Sequence, residues 1–486
     1  MCNVGADAKS VAAGTTLLGI LESVFERSWF TRMWTVQEVA LGRYKIVMCG
    51  SRILPWDELV FGLETVSIQE NVGRPWGDFE GSFGASISCP AFFESLLRRR
   101  RMLEKHGAPR PKPPTLSVVL FEAQRQKATE PKDAIYGIYS LLSALGIDLP
   151  TPDYSKSVAQ IYSETARTAI LQNNSLEILY QVPSSRKIDN LPSWVPDFNE
   201  HNGHYPYWKV EQFSSSRKST AKFEFKDKQK LSVLGKCVGS IISRSETVIG
   251  WTEAEEFEFT HNMDVDAGFL TIFEPYVKAY REWCELAGTL ESYPTGQSVL
   301  GALCHTLVHD EPQRKEAGDQ KWDIKSFARG FSNWHSAVSA GMFEYSMTLD
   351  FLSGVVEGKY LPNKKSLDKF FSADDRKNLD AVKDTLIYKI QAWLHAHEPT
   401  RTYDYVVQTR MRTSRLVITS EGYMGTTPPM AKVGDRIVLV AGLSLPMIVR
   451  REGEGDRLIG PAYIHGIMDG ERWPEVESDL EWINFV

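Results

Sequence analysis

The chain lacks the short signatures of the common catalytic folds: no G-x-G-x-x-G, P-loop, H-E-x-x-H or G-x-S-x-G occurs in its 486 residues. Dinucleotide-fold redox chemistry, nucleoside triphosphate hydrolysis, zinc proteolysis and α/β-hydrolase chemistry therefore lack their usual residues. Its six cysteines, Cys2, Cys49, Cys89, Cys237, Cys284 and Cys304, form no C-x-x-C pair and have no neighbouring histidine cluster, so neither a metal site nor a disulfide framework is expected. No run of 18 apolar residues exists; the nearest, Ile437 to Val449, is broken by Gly442 and Pro446. The opening MCNVGADAKSVAAG has no basic stretch leading into an apolar one, and the expectation is a cytoplasmic protein without signal peptide or membrane span. A net charge of -7 excludes the concentrated positive field of a general nucleic-acid binder. Tandem repeats and low-complexity tracts are also missing.

What is present is an ordinary globular balance, 42% hydrophobic and 24% charged, long enough for two or three domains. The stretch 27–50, RSWFTRMWTVQEVALGRYKIVMCG, reads as an apolar and aromatic helix running into a strand. Phe30, Trp34, Glu38 and Leu41 fall at spacings of 4, 4 and 3, which predicts one helix face shared by two aromatics, a leucine and a carboxylate. Gly42 is the expected C-cap and Tyr44 to Cys49 the expected strand. A helix is also predicted for Thr16–Arg27 and, from Pro55, for Leu54–Val66; residues 67–89 read as a Gly/Ser-rich loop. Ala91–His106 is a predicted helix whose Arg98 to Arg101 point around its circumference, a solvated face with ion pairs.

Further helices are predicted over Leu116–Gln126, Pro131–Leu145 and Asp153–Gln172, the last with Ser155 as N-cap. Leu176–Val182 reads as a strand, and LPSWVPD at 191–197 as a proline-fixed turn presenting Trp194. The period changes to two across Ala221–Ile249, predicting a hairpin and a following strand. Helical patterns return at Met263–Leu290, Leu300–Val308, 322–330 and Ala373–His397. Short strand patterns at Arg415–Thr419, Gly422–Gly425, Asp435–Ala441, Met447–Arg450 and Leu458–Gly466 predict a small barrel or curled sheet.

These motifs carry a resemblance. RSWFTRMWTVQEVAL followed by I-x-P-W-D-E-L resembles the C-terminal half of the fungal heterokaryon incompatibility (HET) domain. KATEPKDAIYGIYSLL, PDYSKSVAQIYSETAR and LPSWVPDF resemble the region that follows it, and the stretch 422–450 with YIHGIMDGE resembles the C-terminal segment of the same proteins. The strands with which HET domains open, carrying tyrosine-tryptophan-glycine and tryptophan-isoleucine-aspartate-alanine signatures, do not occur, so the sequence reads as beginning within the domain. The resemblance implies an α+β chain: a partial α/β HET domain like the Toll/interleukin-1 receptor (TIR) domain at 1–110, a helical region at 111–200, a mixed middle region at 201–410 with a variable insertion near 311–372, and a C-terminal small β-barrel-like module at 411–486. It implies fungal non-self recognition leading to growth arrest or cell death, with protein partners or self-association.

Some TIR domains cleave NAD with a glutamate that follows a tryptophan at W-x-x-x-E spacing. Trp34 and Glu38 have that spacing, so the resemblance implies Glu38 as catalytic residue, Trp34 and Phe30 as substrate-binding residues, NAD as a substrate and no cofactor or metal. Apart from any family, a glutamate on an aromatic stripe is paired, at a cleft rim, or protonated through desolvation. A carboxylate of this kind could stabilise oxocarbenium-like charge as nicotinamide leaves; the structural alternative is an ion pair with Arg27, Arg32 or a distant partner. Phe30 and Trp34 have core packing as their alternative role. His465 and Asp469, four residues apart, suggest acid/base chemistry but come with no identifiable nucleophile.

Overall fold

A computed structural model describes residues 27–49, 51–61, 82–106, 109, 113–182, 188–200, 212–227, 229–248, 268–310, 403, 406–407, 410–412 and 414–486. The helices expected at Thr16–Arg27, 322–330 and Ala373–His397, and the insertion near 311–372, lie outside these residues. Both helices and sheets are present, as an α+β chain requires.

The first stretch contains two helices where the spacing predicts one. α1 (Ser28–Thr31) ends at Arg32, whose ψ of 138° is extended, and α2 (Met33–Leu41) starts afresh. The cause is tertiary: the backbone around Arg32 bridges to Lys127, with Lys127 N–H donating to Thr31 O at 2.6 Å and Met33 N–H to Lys127 O at 3.0 Å. The break changes which residues face inward. Met33, Val36 and Ala40 enter the main core, whereas Phe30 packs with Val39, Trp56 and Leu59 in a small satellite cluster. Gly42 caps α2 as expected, and β1 (Ile46–Cys49) pairs antiparallel with β2 (Arg52–Pro55). Pro55 ends that strand, and the following helix starts at Trp56.

α3 (Ser82–Lys105) begins inside the expected loop and carries Pro90 in its interior. Its arginines do form ion pairs: Arg98 meets Glu94 at 2.9 Å and Asp57 at 3.5 Å, and Arg100 meets Glu104 at 3.3 Å. Glu94 is buried, which disfavours its charge, but hydrogen bonds from Arg98 and Lys45 outweigh burial and hold its carboxyl below the usual range.

α4 (Leu116–Ala123) is capped by Thr115. The helix expected at Pro131–Leu145 is split into α5 (Asp133–Tyr136) and α6 (Tyr139–Leu145) around Gly137. A Cβ at Gly137 would lie 2.6 Å from Met33 Cγ, so the glycine admits the side chain of α2. α7 (Val158–Asn173) starts later than the predicted Asp153, and Ser157, not Ser155, is its N-cap, with Ser157 and Gln160 forming a reciprocal capping box. Asp153 takes up Ser155 instead, accepting from its N–H at 2.9 Å and its hydroxyl at 2.6 Å. Replacing Ser157 with alanine should cost about 1 kcal/mol of stability in chemical unfolding, and Ser155→Ala much less. Residues Glu177–Gln181 form a 3₁₀ turn, not the predicted strand, with Ile178, Leu179 and Tyr180 in the main core.

The predicted hairpin is β3 (Phe223–Phe225) and the long β4 (Leu231–Arg244). α8 (Gly268–Ala287) and α9 (Val299–Leu307) follow, close to their expected bounds. The final strands are β5 (Arg415–Thr419), β6 (Met424–Thr427), β7 (Arg436–Val440), β8 (Met447–Glu452), β9 (Gly455–Pro461), β10 (Tyr463–Ile464) and β11 (Glu481–Phe485), of which β11 has no counterpart among the predicted strands.

β4 organises the sheet. Its first residues pair with β3 on one edge and β11 on the other, its middle pairs with β7, and its end pairs with β5. The pairings β4–β11–β9–β8–β7 return to β4, and β5, β6 and β10 extend from its end. Gly239, at φ 150°, sits where the β4–β7 register shifts. Strand faces divide between two cores: Val438, Val440, Met447, Val449 and Leu458 join the helices of residues 116–182, while Ile437, Leu439, Ile448 and Ile459 pack with Val417 and Ile464. A third core joins α8, α9 and the buried Tyr403, Val407 and Met411 to Leu416, Ile418 and Met424. Among the described residues, no helix is long and apolar enough to cross a membrane.

Candidate functional site

The residues expected to act together in 27–50 are separated. Phe30 is 4% exposed and sits in the satellite cluster, its ring edge-on to Trp29 at 4.9 Å. Trp34 is 41% exposed, and Glu38 and Leu41 share its outward face of α2. Glu38 is thus not on a buried aromatic stripe, and its side chain makes no hydrogen bond or ion pair with another described residue. Neither Arg27 nor Arg32 is seen pairing with it. A cleft of 240 Å³ lies near the end of α2, lined by Ala40, Leu41, Leu97, Arg100, Arg101, Glu104 and Ala144; Trp34 and Glu38 do not line it.

Among the described residues, a dense constellation of ionisable groups forms elsewhere. α9 ends in HTLVHD, and His309 and Asp310 take left-handed backbone angles, φ 52° and 55°. Histidine and aspartate tolerate this region better than most residues, yet it still stores strain. The turn folds Asp310 back over its own helix, where Oδ1 lies 2.8 Å from His305 Nδ1. Oδ2 meets the Tyr463 hydroxyl at 2.5 Å and His465 Nδ1 at 3.2 Å, both from the end of β10. His465 Nε2 lies 2.7 Å from Gln297 Oε1, and the His305 and His465 rings stack at 5.4 Å with 4° between planes. Tyr293 covers the other side of His465 at 5.6 Å, donates to His465 O at 2.8 Å and accepts from Met424 N–H at 3.1 Å. His309 stacks on Tyr463 at 4.4 Å and meets Thr426 Oγ1 at 2.7 Å.

Burial opposes the charge on Asp310, but the close approach of His305 to Oδ1 and the hydrogen bonds of His465 and Tyr463 to Oδ2 outweigh it and hold the carboxyl far below the usual carboxylate range. Burial raises the Tyr293 hydroxyl and pushes the Cys304 thiol up to about 12, so neither is an activated nucleophile at neutral pH. Asp310, His309 and His465 are each under 9% exposed. The arrangement can hold charge inside the fold; among the described residues, no group has the geometry of a metal site.

From the sequence only His465 stands out, paired with the nearby Asp469. Asp469 lies elsewhere and its N–H donates to Glu471 at 2.8 Å, while the carboxylate that holds His465 comes from 155 residues earlier. No local spacing encodes that partner; the one available signal is the histidine and aspartate crowding in HTLVHD.

Comparison with known proteins follows the same outline. A family model described as the Het-6 beta-barrel domain matches residues 355–478. β5 to β10 and His465 fall inside that match, whereas β4 and β11, which complete the cycle of pairings, fall outside it. The chain is similar to heterokaryon incompatibility protein 6, OR allele, of Neurospora crassa, 25% identical over 494 residues that take in 92% of this chain and 65% of that protein. It thus spans somewhat less than two thirds of that relative's length. No solved structure matches. The resemblance to heterokaryon incompatibility proteins read from the sequence motifs is borne out.

Proposed function

We propose that this chain, a relative of heterokaryon incompatibility protein 6 over nearly all its own length, acts in fungal non-self recognition as a protein that binds other proteins or itself. The observation that carries the role is the extent of the likeness, 92% of the chain. The non-catalytic form of the role is supported by Glu38, which stands on an exposed helix face away from the one cleft described near α2. A carboxylate that stabilises a developing cation works best in a water-excluded site. Closed pairing through β4–β11–β9–β8–β7 suits a small barrel that presents a rigid surface. The test is expression of the full chain in hyphae of strains differing in their incompatibility alleles. Growth arrest confined to particular pairings supports the role; identical growth in every pairing refutes it.

A second reading has one observation in its favour: Trp34 and Glu38 lie a turn apart on the same exposed face, as a TIR-like NAD-cleaving site would need. Purified full chain incubated with NAD separates the two readings. We expect background turnover, unchanged in Glu38→Ala, and hyphal growth arrest that survives this substitution. NAD loss that disappears in Glu38→Ala would establish the enzymatic reading.

A further inference from the structure

The ribbon of β1 and β2 is apolar on both faces. Its register sets Ile46 opposite Pro55, Val47 opposite Leu54 and Met48 opposite Ile53. Side chains alternate along a strand, so Val47 and Leu54 share one face, which packs on the satellite cluster of Phe30, Val39, Trp56 and Leu59. The other face carries Ile46, Met48 and Ile53, which are 59%, 65% and 61% exposed. An antiparallel ribbon with one side on a core normally turns polar residues to water on the other. Tyr44, just before β1, is 96% exposed, and Leu41 at the end of α2 is exposed as well. Exposed apolar groups gathered on one face mark a surface that is covered in use.

The charges around this face are mostly of one sign. Residues 39–56 contain Arg43, Lys45 and Arg52 and no acid. Lys45 meets Glu94 at 2.8 Å, and Arg98, one turn further along α3, meets Asp57 at 3.5 Å, so the arginine run of α3 lies beside the ribbon. Arg99 and Arg101 of that run are exposed, and Arg101 lines the cleft that Leu41 also borders. The acids nearest in sequence are Glu38, one turn before Leu41, and Asp57 and Glu58, just after β2. A second copy of the chain on this face would set one basic rim against another. A protein partner needs about one hydrogen bond per 100–200 Å² of contact, and the face itself offers only isoleucine, methionine and proline side chains. Hydrocarbon makes no such demand.

We propose that the outer face of β1 and β2, with Tyr44 and the arginines beside it, docks on membrane surfaces that carry anionic lipid. Ile46, Met48 and Ile53 enter the boundary between headgroups and acyl chains, about 5–10 Å deep, and the Tyr44 ring sits at headgroup level with its hydroxyl in water. Arg43, Arg99 and Arg101 meet the lipid phosphates and carboxylates. Among the described residues β1 and β2 pair only with each other, and at headgroup depth water serves the backbone groups on their outer edges. Charges more than about 8 Å away are screened at physiological salt, so the basic rim and not the net charge of -7 decides the encounter. This inference does not depend on the proposed role in recognition, because vesicle binding and hyphal growth arrest are read separately.

The test mixes the full chain with extruded vesicles of phosphatidylcholine, with or without phosphatidylserine, and measures the bound fraction by sedimentation. The chain should sediment with the anionic vesicles and stay in solution with the neutral ones, and about 1 M salt should release it. Met48→Asp and Ile53→Asp, both at exposed positions, should keep the wild-type unfolding midpoint and each weaken binding by about tenfold or more. Arg43→Gln should weaken it about fivefold. Trp482→Ser, which removes an exposed aromatic from β11, should leave it unchanged. Absence of binding to anionic vesicles overturns the proposal, as does binding that ignores lipid charge or survives Met48→Asp. Self-association without lipid that Met48→Asp abolishes would assign the face to a second copy instead. A chain that ignores vesicles but loses its growth arrest on Met48→Asp uses the face for a protein partner, which also overturns the proposal.

Discussion

Replacing Trp194 with alanine should destabilise the protein by about 3–5 kcal/mol, among the largest losses available to a single core substitution. The indole is 0% exposed, its Nε1–H donates to Gln229 O at 2.8 Å, and its ring lies 5.6 Å from that of Phe225. Its neighbour Ser193 donates its N–H to Val486 O at 2.6 Å and accepts from Leu458 N–H at 3.1 Å. Residues 193–194 therefore tie the helical region to β9, to β11 and to the turn between β3 and β4. Truncation empties a site bounded by both layers, which cannot collapse without parting them, so the cavity cost adds to the lost transfer energy. Trp194→Phe keeps most of the volume and loses the hydrogen bond, and should cost about 1–2 kcal/mol. Chemical unfolding of both variants checks the order; equal losses would assign the effect to the hydrogen bond alone.

Trp194 also shows how far the sequence could be read. Prolines 192 and 196 fix an extended turn, and that much is local. That the turn drives its tryptophan inward depends on Phe225 and Gln229, some 30 residues later, whose position is set by the β3–β4 hairpin. The same distinction runs through the candidate site. The W-x-x-x-E spacing is local and real, and Trp34 and Glu38 do share a helix face. Which face points outward was decided by the bridge from Arg32 to Lys127, and that bridge also removed Phe30 from the stripe. At Gly137, between α5 and α6, a contact from a distant element is also decisive: a side chain there would collide with Met33 of α2. α8, α9, β5, β7 and β8 were legible because periodicity, caps and turn residues agree there, and no distant contact overrides them. β11 was not legible: EWINF is short and follows a charged stretch, and its identity as a strand comes from pairing with β4.

The second large effect is expected at Asp310. Asp310→Ala should cost about 3–5 kcal/mol, because it leaves the buried Tyr463 and His465 without their shared acceptor and His305 without the carboxylate beside it. Part of that loss is backbone strain, since alanine accepts φ 55° less readily than aspartate does. Asp310→Asn separates the two contributions. Asparagine keeps the tolerance for the left-handed region and one acceptor oxygen but not the charge, so its loss should be the smaller, and the difference between the variants measures the strain with the second acceptor. The acid side of the pH profile isolates the charge. The folded-state carboxyl of Asp310 lies below its ordinary value near 3.9, so its stabilisation is present above that pH and lost as acid protonates the folded form. Wild type should therefore lose stability between about pH 5 and 2 more steeply than Asp310→Asn, whose side chain does not titrate. Parallel acid limbs would mean that the carboxylate contributes as a hydrogen-bond acceptor and not as a charge.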